Sequence, residues 1–208
     1  VDPSLYFHLS HTLPSSNLSL LNSDFFSTNL PPSPYKVFSN LPFSQTGNIL
    51  KKLYFTSLPP TSSYLIMQSE AAHKFVINSD QNSLFALLLH PQFEVKSIYR
   101  FRPSDFSPSP KVDCVLLQIE ARPTALVPHQ HISLYQDFVT YHFTHDPFSK
   151  YVPPARWLKL FHRFLTFPSP QRLKSIQGSF AHLQNQQNSL QKIHRTRTDP
   201  HWKKFHQD

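Results

Sequence analysis

Glycine is nearly absent from this chain: two residues in 208, against twenty prolines. That excludes a P-loop and a Gly-x-Ser-x-Gly nucleophile elbow, which need glycine where backbone turns tightly or approaches a ligand. Turns must draw on Pro, Ser and Asn instead. The one cysteine, Cys114, excludes an internal disulfide. It sits in the strand-like run Val112-Asp-Cys-Val-Leu-Leu-Gln-Ile119 and reads as a small core residue. No run of about 18 apolar residues occurs, which argues against a transmembrane helix. Val1-Asp2-Pro3 has neither the basic start nor the apolar stretch of a signal peptide, so a cytoplasmic, membrane-free setting is expected.

Acidic residues are scarce in one region only. Residues 1–146 carry 9 Lys/Arg and 10 Asp/Glu, a net of −1, whereas residues 147–208 carry 11 and 2, a net of +9. A near-neutral body with a basic tail region points to a pocket in one part and a polyanion on the other. Each cation placed on a phosphate releases counterions, so the basic part suits nucleic acid. His194-Arg-Thr-Arg197 with Trp202-Lys-Lys-Phe205 adds stacking surfaces to those charges. Thirteen histidines invite a metal site, and His129-Gln-His131 and His142-x-x-His145 are the tightest pairs. Neither has the helical i, i+4 spacing with an intervening Glu, nor accompanying Cys, so no metal is expected.

What is present in abundance is alternation. Leu5–Leu13 predicts a short helix, and Asn17-Leu-Ser-Leu-Leu-Asn22 a short strand. Tyr35–Ser39 reads as a buried strand, and Ser44–Ser57 as a helix with Ile49, Leu50, Leu53 and Tyr54 on one face. Ser63–Gln68 is a continuous apolar strand, as in a sheet covered on both faces. Helices follow over 70–77 and 83–89, then strands over 93–101 and 112–119. Strands alternating with helices predict an α/β sheet. From about Ile132 the pattern turns helical, through Arg156–Phe164, with further helices near 171–184 and 187–194. One domain over 1–126 and a helical, basic one over 127–208 are expected.

The most informative segment is Asn40-Leu41-Pro42-Phe43, directly after the strand 35–39. A polar amide, a proline and an aromatic at a strand's carboxyl end suit a flat nitrogenous ring. The Asn side-chain oxygen and a backbone carbonyl can accept from an exocyclic amine, and the Phe43 ring can stack on an unstacked base.

With these elements in order, the chain resembles the rRNA adenine N6-dimethyltransferase family, and most closely its Erm branch, which confers macrolide–lincosamide–streptogramin B resistance. Asn22-Ser-Asp24-Phe25 resembles the family's acidic residue after its third strand, and Asn40–Phe43 its Asn-Ile/Leu-Pro-Tyr/Phe motif. Tyr64–Gln68, Ser83–Leu89, Asp105-Phe106-Ser-Pro-Ser-Pro-Lys-Val112 and Leu134–Val139 resemble later segments in register. The resemblance implies a Rossmann-like class I methyltransferase sheet with a small carboxyl-terminal helical domain. It also implies S-adenosyl-L-methionine as cofactor and 23S ribosomal RNA as partner of a monomer. Asp24, the backbone at Phe25, and Asn40 are implied to meet the cofactor, with the Asp24 carboxylate taking its adenine amino group. Asn40, Leu41, Pro42 and Phe43 are implied to hold the target adenine, with Phe106 as a second wall.

The family's first strand, its Gly-rich loop and its ribose-binding acid would lie before Val1. The chain is therefore expected to be amino-terminally truncated and impaired in cofactor binding, with Asp2 a partial substitute for that acid. Lys51, Lys52, Arg100, Arg102 and Lys111 lie near the implied active face and are expected to place RNA by its phosphates. Three rivals stand beside this reading: the housekeeping branch that dimethylates small-subunit (16S) rRNA, a non-catalytic RNA-binding remnant, and a basic α/β protein whose motifs are accidental.

Overall fold

A computed structural model describes residues 2–13, 17–32, 34–167 and 169–189. Four strands form one sheet in the order β1-β2-β4-β3: β1 (Lys36–Asn40), β2 (Ser62–Gln68), β3 (Phe93–Phe101) and β4 (Cys114–Ala121). β1 and β2 are parallel, joined by the helix α2 (Thr46–Tyr54), while β4 runs antiparallel to both β2 and β3. The register bends once, at a bulge between Ser97 and Tyr99.

β2 and β4 lie inside the sheet and bury residues on both faces, which is why they read as apolar runs. Leu65, Met67, Leu117 and Ile119 are fully buried there. α2 covers them with Ile49, Leu50 and Leu53, while its Tyr54 hydroxyl donates to Ser63 Oγ at 2.6 Å. The Tyr54 ring also meets Phe93 edge-on at 4.9 Å. Behind β2 comes α3 (Ser69–His73), shorter than its expected range. The chain leaves the helix after His73 because Phe75 turns inward to join the core at 4 % exposure. α4 (Leu84–Leu89) starts on a Ser83 cap and serves two cores, with Leu89 in the sheet's and Leu87 and Leu88 in the next.

That second core belongs to α5 (Ile132–His145), α6 (Pro154–Thr166), α7 (Pro170–Ile176) and α8 (Ser179–Ser189). Tyr135, Val139 and Phe161 are fully buried, and the Tyr135 hydroxyl donates to the Leu87 carbonyl at 3.2 Å. The expected helix over 171–184 is two helices, broken at Gly178, whose φ of +80° is open to glycine without a Cβ penalty. Asp137 on α5 fixes the break: its carboxylate accepts from Gly178 N at 2.9 Å and Phe180 N at 3.0 Å. Residues 187–189 complete α8, and the rest of the helix expected over 187–194 lies outside the described residues.

The amino-terminal part departs most from expectation. α1 (Pro3–Thr12) forms on an Asp2 cap with Pro3 in its first turn, but buries none of its residues. The strand expected at 17–22 is absent, and the segment is irregular with Leu21 69 % exposed. A strand exists through its ladder, and no described strand lies beside this segment; β1 pairs with β2 and leaves its other edge open. Phe38 on that open strand is 75 % exposed.

Candidate functional site

Strand register assembles the site. Asn40 pairs with Ile66, Gln68 with Cys114, and Cys114 with Phe101. The carboxyl ends of β1, β2 and β3 and the amino end of β4 therefore share one edge of the sheet. The Asn40–Phe43 segment and the loop from Arg102 to Asp113 both leave from it. In open α/β sheets this is the edge at which ligands bind.

Asn40 is the last residue of β1 and is exposed. Its side-chain amide has no hydrogen-bond partner among the described residues. Leu41 turns inward at 3 % exposure and its N–H donates to the Ile66 carbonyl at 2.9 Å, which locks the backbone just after Asn40. The two carbonyls that follow differ. That of Pro42 accepts from Gln45 N at 2.9 Å, starting the turn into α2, whereas that of Leu41 meets no donor among the described residues. An amide and a carbonyl on successive residues are thus left free to accept. Phe43 beside them is 38 % exposed and can offer a ring face.

Phe106 follows a short 3₁₀ turn, Pro103–Asp105, and packs edge-on against Phe101 at 5.3 Å. It stays half-buried at the same sheet edge. Ser109 Oγ donates to the Pro103 carbonyl and Arg102 N to Asp105, so this loop is braced internally.

Asp24 opens a tight turn. Its Oδ1 accepts from Phe26 N at 3.1 Å and its carbonyl accepts from Ser27 N and Thr28 N. The Phe25 N–H has no acceptor and Asp24 Oδ2 no donor among the described residues, so a donor and an acceptor on successive residues are left over. Lys52, from the last turn of α2, holds this turn. Its Nζ donates to the carbonyls of Phe25 at 2.6 Å, Phe26 at 2.9 Å and Thr28 at 2.6 Å, and lies 5.0 Å from the Phe25 ring centre. No hydrogen bond ties the Asp24 turn to Asn40 among the described residues; the link between them runs through α2.

The cations expected to meet RNA fall into two groups. Arg100, Arg102 and Lys111 lie at the sheet edge; the first two pair with Asp113 at 2.6 Å and Asp105 at 3.5 Å, and Lys111 has no ion pair among the described residues. Lys51 and Lys52 are committed inside the fold, Lys51 donating to Gln187 at 2.6 Å. Lys52 in particular departs from its expected place on phosphate, because three carbonyls already surround its ammonium. Asp2 departs as well: its Oδ1 accepts from Ser4 N and Leu5 N as the cap of α1.

Sequence reasoning missed Lys52's brace, which joins residues 24 to 27 positions apart and has no local signature. It also missed Arg122. That guanidinium donates to the His90 carbonyl at 2.8 Å and to Glu94 at 3.0 Å, and contacts His90 Nδ1 at 3.3 Å. Burial first, and then the Arg122 charge, hold the His90 pKa below its ordinary value.

For a methyl donor, the parts of this chain that fit are the Asp24 carboxylate and the Phe25 amide, an acceptor and a donor suited to an adenine edge. Neither glycine supplies a phosphate- or ribose-hugging loop, since Gly47 lies in α2 and Gly178 joins α7 to α8. Among the described residues no helix is long and apolar enough to cross a membrane.

The family profile described as "Ribosomal RNA adenine dimethylase" matches residues 1–147. An rRNA adenine N-6-methyltransferase of Lysinibacillus sphaericus is 31% identical over 111 residues, covering 53% of this chain and 44% of the relative. Ribosomal RNA small subunit methyltransferase A of Synechococcus sp. is 30% identical over 110 residues, covering 50% and 39%. The chain thus spans under half the length of these two relatives. The crystal structure of 23S rRNA methyltransferase ErmE superposes with a TM-score of 0.69 at 22% identity, over 78% of this chain and 79% of that one, and so shares its fold. With its Rossmann-like sheet and a profile match across most of its length, this chain belongs to the ribosomal RNA adenine dimethylase family.

Proposed function

We propose that this chain grips the target adenine for S-adenosylmethionine-dependent N6-methylation or dimethylation of 23S ribosomal RNA, giving macrolide–lincosamide–streptogramin B resistance. One observation carries the reading. At the carboxyl end of a parallel strand, the Asn40 amide and the Leu41 carbonyl both lack partners among the described residues, beside the half-exposed Phe43 ring. Two acceptors in succession match the two hydrogens of an exocyclic amine. Accepting both directs the N6 lone pair out of the base plane, while Phe43 stacks on the ring and Phe106 walls its other side. Pro42 fixes the turn, its carbonyl taken up by Gln45.

When bound, the cofactor supplies a methyl group already activated by a sulfonium charge. Placement and electrostatics are then the protein's main contribution. Asp24 and the Phe25 amide would hold the cofactor's adenine, with Asn40 bordering both ligands. The sheet half, 1–126, carries the chemistry in this reading. The basic helical half, 127–208, together with Arg100, Arg102 and Lys111, holds RNA by its phosphates.

A second reading has its own support in the 30% identity to a small-subunit methyltransferase. Both are tested by incubating the chain with labelled S-adenosylmethionine and protein-free 23S or 16S rRNA, then identifying methylated nucleosides by mass spectrometry. The proposal expects N6-methylated adenosine in 23S rRNA, at a low level in keeping with the impaired cofactor binding expected of this chain. Methylation of 16S rRNA instead assigns the housekeeping branch, and RNA binding with no transfer to either makes the chain a non-catalytic remnant.

A further inference from the structure

We infer that the helical half contains a pocket for an unpaired RNA base, separate from the adenine site and resting on the reading that RNA is the partner. A cavity of about 720 Å³ opens between α5, α6 and α7 and shares no lining residue with the Asn40 segment. Its volume suits a nucleotide. Aromatic side chains make its walls, among them Tyr141 from α5, Trp157 and Phe164 from α6, and Phe167 just beyond.

Two observations favour a nucleotide over a peptide. First, Phe167 lines the mouth while 73 % exposed, an apolar ring held in water where a base could stack. Second, Arg163 and Arg172 also line the cavity, and neither forms an ion pair among the described residues. Residues 147–189 contain six Lys or Arg and no Asp or Glu, so the surround is complementary to phosphate and to no cationic ligand. The one carboxylate in the lining, Asp146, is occupied by its own chain, accepting from Phe148 N at 2.9 Å and Ser149 Oγ at 3.4 Å.

The arrangement places the base among the rings and its flanking phosphates on the two guanidinium groups. Duplex RNA keeps its bases stacked and cannot fill it. Selection for a looped or single-stranded segment follows, without any reading of base identity.

The test measures fluorescence anisotropy of an eight-nucleotide single-stranded oligoadenylate and of a blunt duplex RNA, each titrated with the whole chain. Phe167→Ala is expected to weaken single-strand binding about tenfold, within the range that base–aromatic stacking supports, and to leave duplex binding unchanged. Phe167→Trp should retain it. Arg172→Ala should weaken both ligands and lower the salt dependence by about one charge. Equal loss for both ligands on Phe167→Ala, or no loss for either, overturns the pocket and leaves it to a peptide or to the chain's own terminus. Failure of any RNA to bind overturns the proposed function as well, whereas loss of methyl transfer alone leaves the pocket standing.

Discussion

Residues 1–146, the sheet region together with α5, set nine cations against ten anions, and four of those cations form ion pairs within the chain. Residues 147–189 contain six cations and no anion, and none of the six forms an ion pair among the described residues. The polar groups differ in the same sense. The groups left without partners among the described residues on Asn40, Leu41 and Phe25 are compact and directional. Among the same residues the helical half leaves whole guanidinium groups and rings uncommitted, at Arg163, Arg172 and Phe167. Directional acceptors in a braced frame suit chemistry at one amine. Diffuse charge and exposed rings suit affinity for a long polyanion, because phosphate contacts position without discriminating.

The division can be probed from its strongest dependence to its weakest. Phe161→Ala removes a fully buried ring that meets Tyr135, Phe138 and Phe164. It should cost about 3–5 kcal/mol, read by chemical denaturation. If the halves fold as separate units, Asn40-site chemistry survives it; joint collapse would show that α4, shared between the cores, welds them together.

Lys52→Met should release the Asp24–Thr28 turn. Charge-assisted hydrogen bonds are worth about 1.5–3 kcal/mol each in mutational series, so amide exchange at Ser27 and Thr28 should quicken by about tenfold or more, with global melting little changed. Lys52→Arg should restore only part of that protection, since a planar fork matches three converging carbonyls poorly. Unaltered exchange would break the claim that α2 carries the brace.

A pH effect should follow from His90 and His142, both held below the ordinary histidine pKa mainly by burial. The unfolded chain takes up their protons near pH 6.5, while the folded chain resists until lower pH. Stability is therefore fully present above about pH 6.5 and declines as pH falls through the folded values. The neutral His90 Nδ1 can accept from Arg122; once protonated it faces a like charge. Melting temperature should drop between pH 7 and 5, and His90→Gln should flatten part of that slope.

The smallest effect expected is that of Arg100→Ala. Its ion pair with Asp113 is exposed on both sides, and such pairs contribute about 0–1 kcal/mol. Stability should hold while RNA affinity falls slightly.

Much of the sheet half was legible in the sequence because periodicity reports burial. β2 and β4 are covered on both faces, and their apolar runs mark them to within two residues at each end. The amphipathic face of α2 was equally plain, and the Asn40 segment stood out because its position after a strand decides its chemistry. The strand expected at 17–22 failed for the opposite reason. Alternation is a local property, but a strand needs a neighbour, and none lies beside this segment among the described residues. Lys51 and Lys52 misled for a related reason, since a lysine opposite a buried face reads as solvent-directed until a loop from elsewhere docks on it. The break at Gly178 depends on Asp137, 41 positions away, and no window of sequence contains both. Asp2 was read only as a stand-in for a ribose-binding acid, and its use as the cap of α1 went unread.

The most direct test of the account is the paired measurement of methyl transfer and RNA affinity for Asn40→Ala. Removing one preorganised hydrogen-bonding group at a reacting centre typically lowers turnover about 10²–10³-fold. The account predicts that loss in N6-methyladenosine formed on 23S rRNA, with the dissociation constant for the same RNA unchanged within about twofold. Retained transfer, or loss of transfer and RNA binding together, would contradict it.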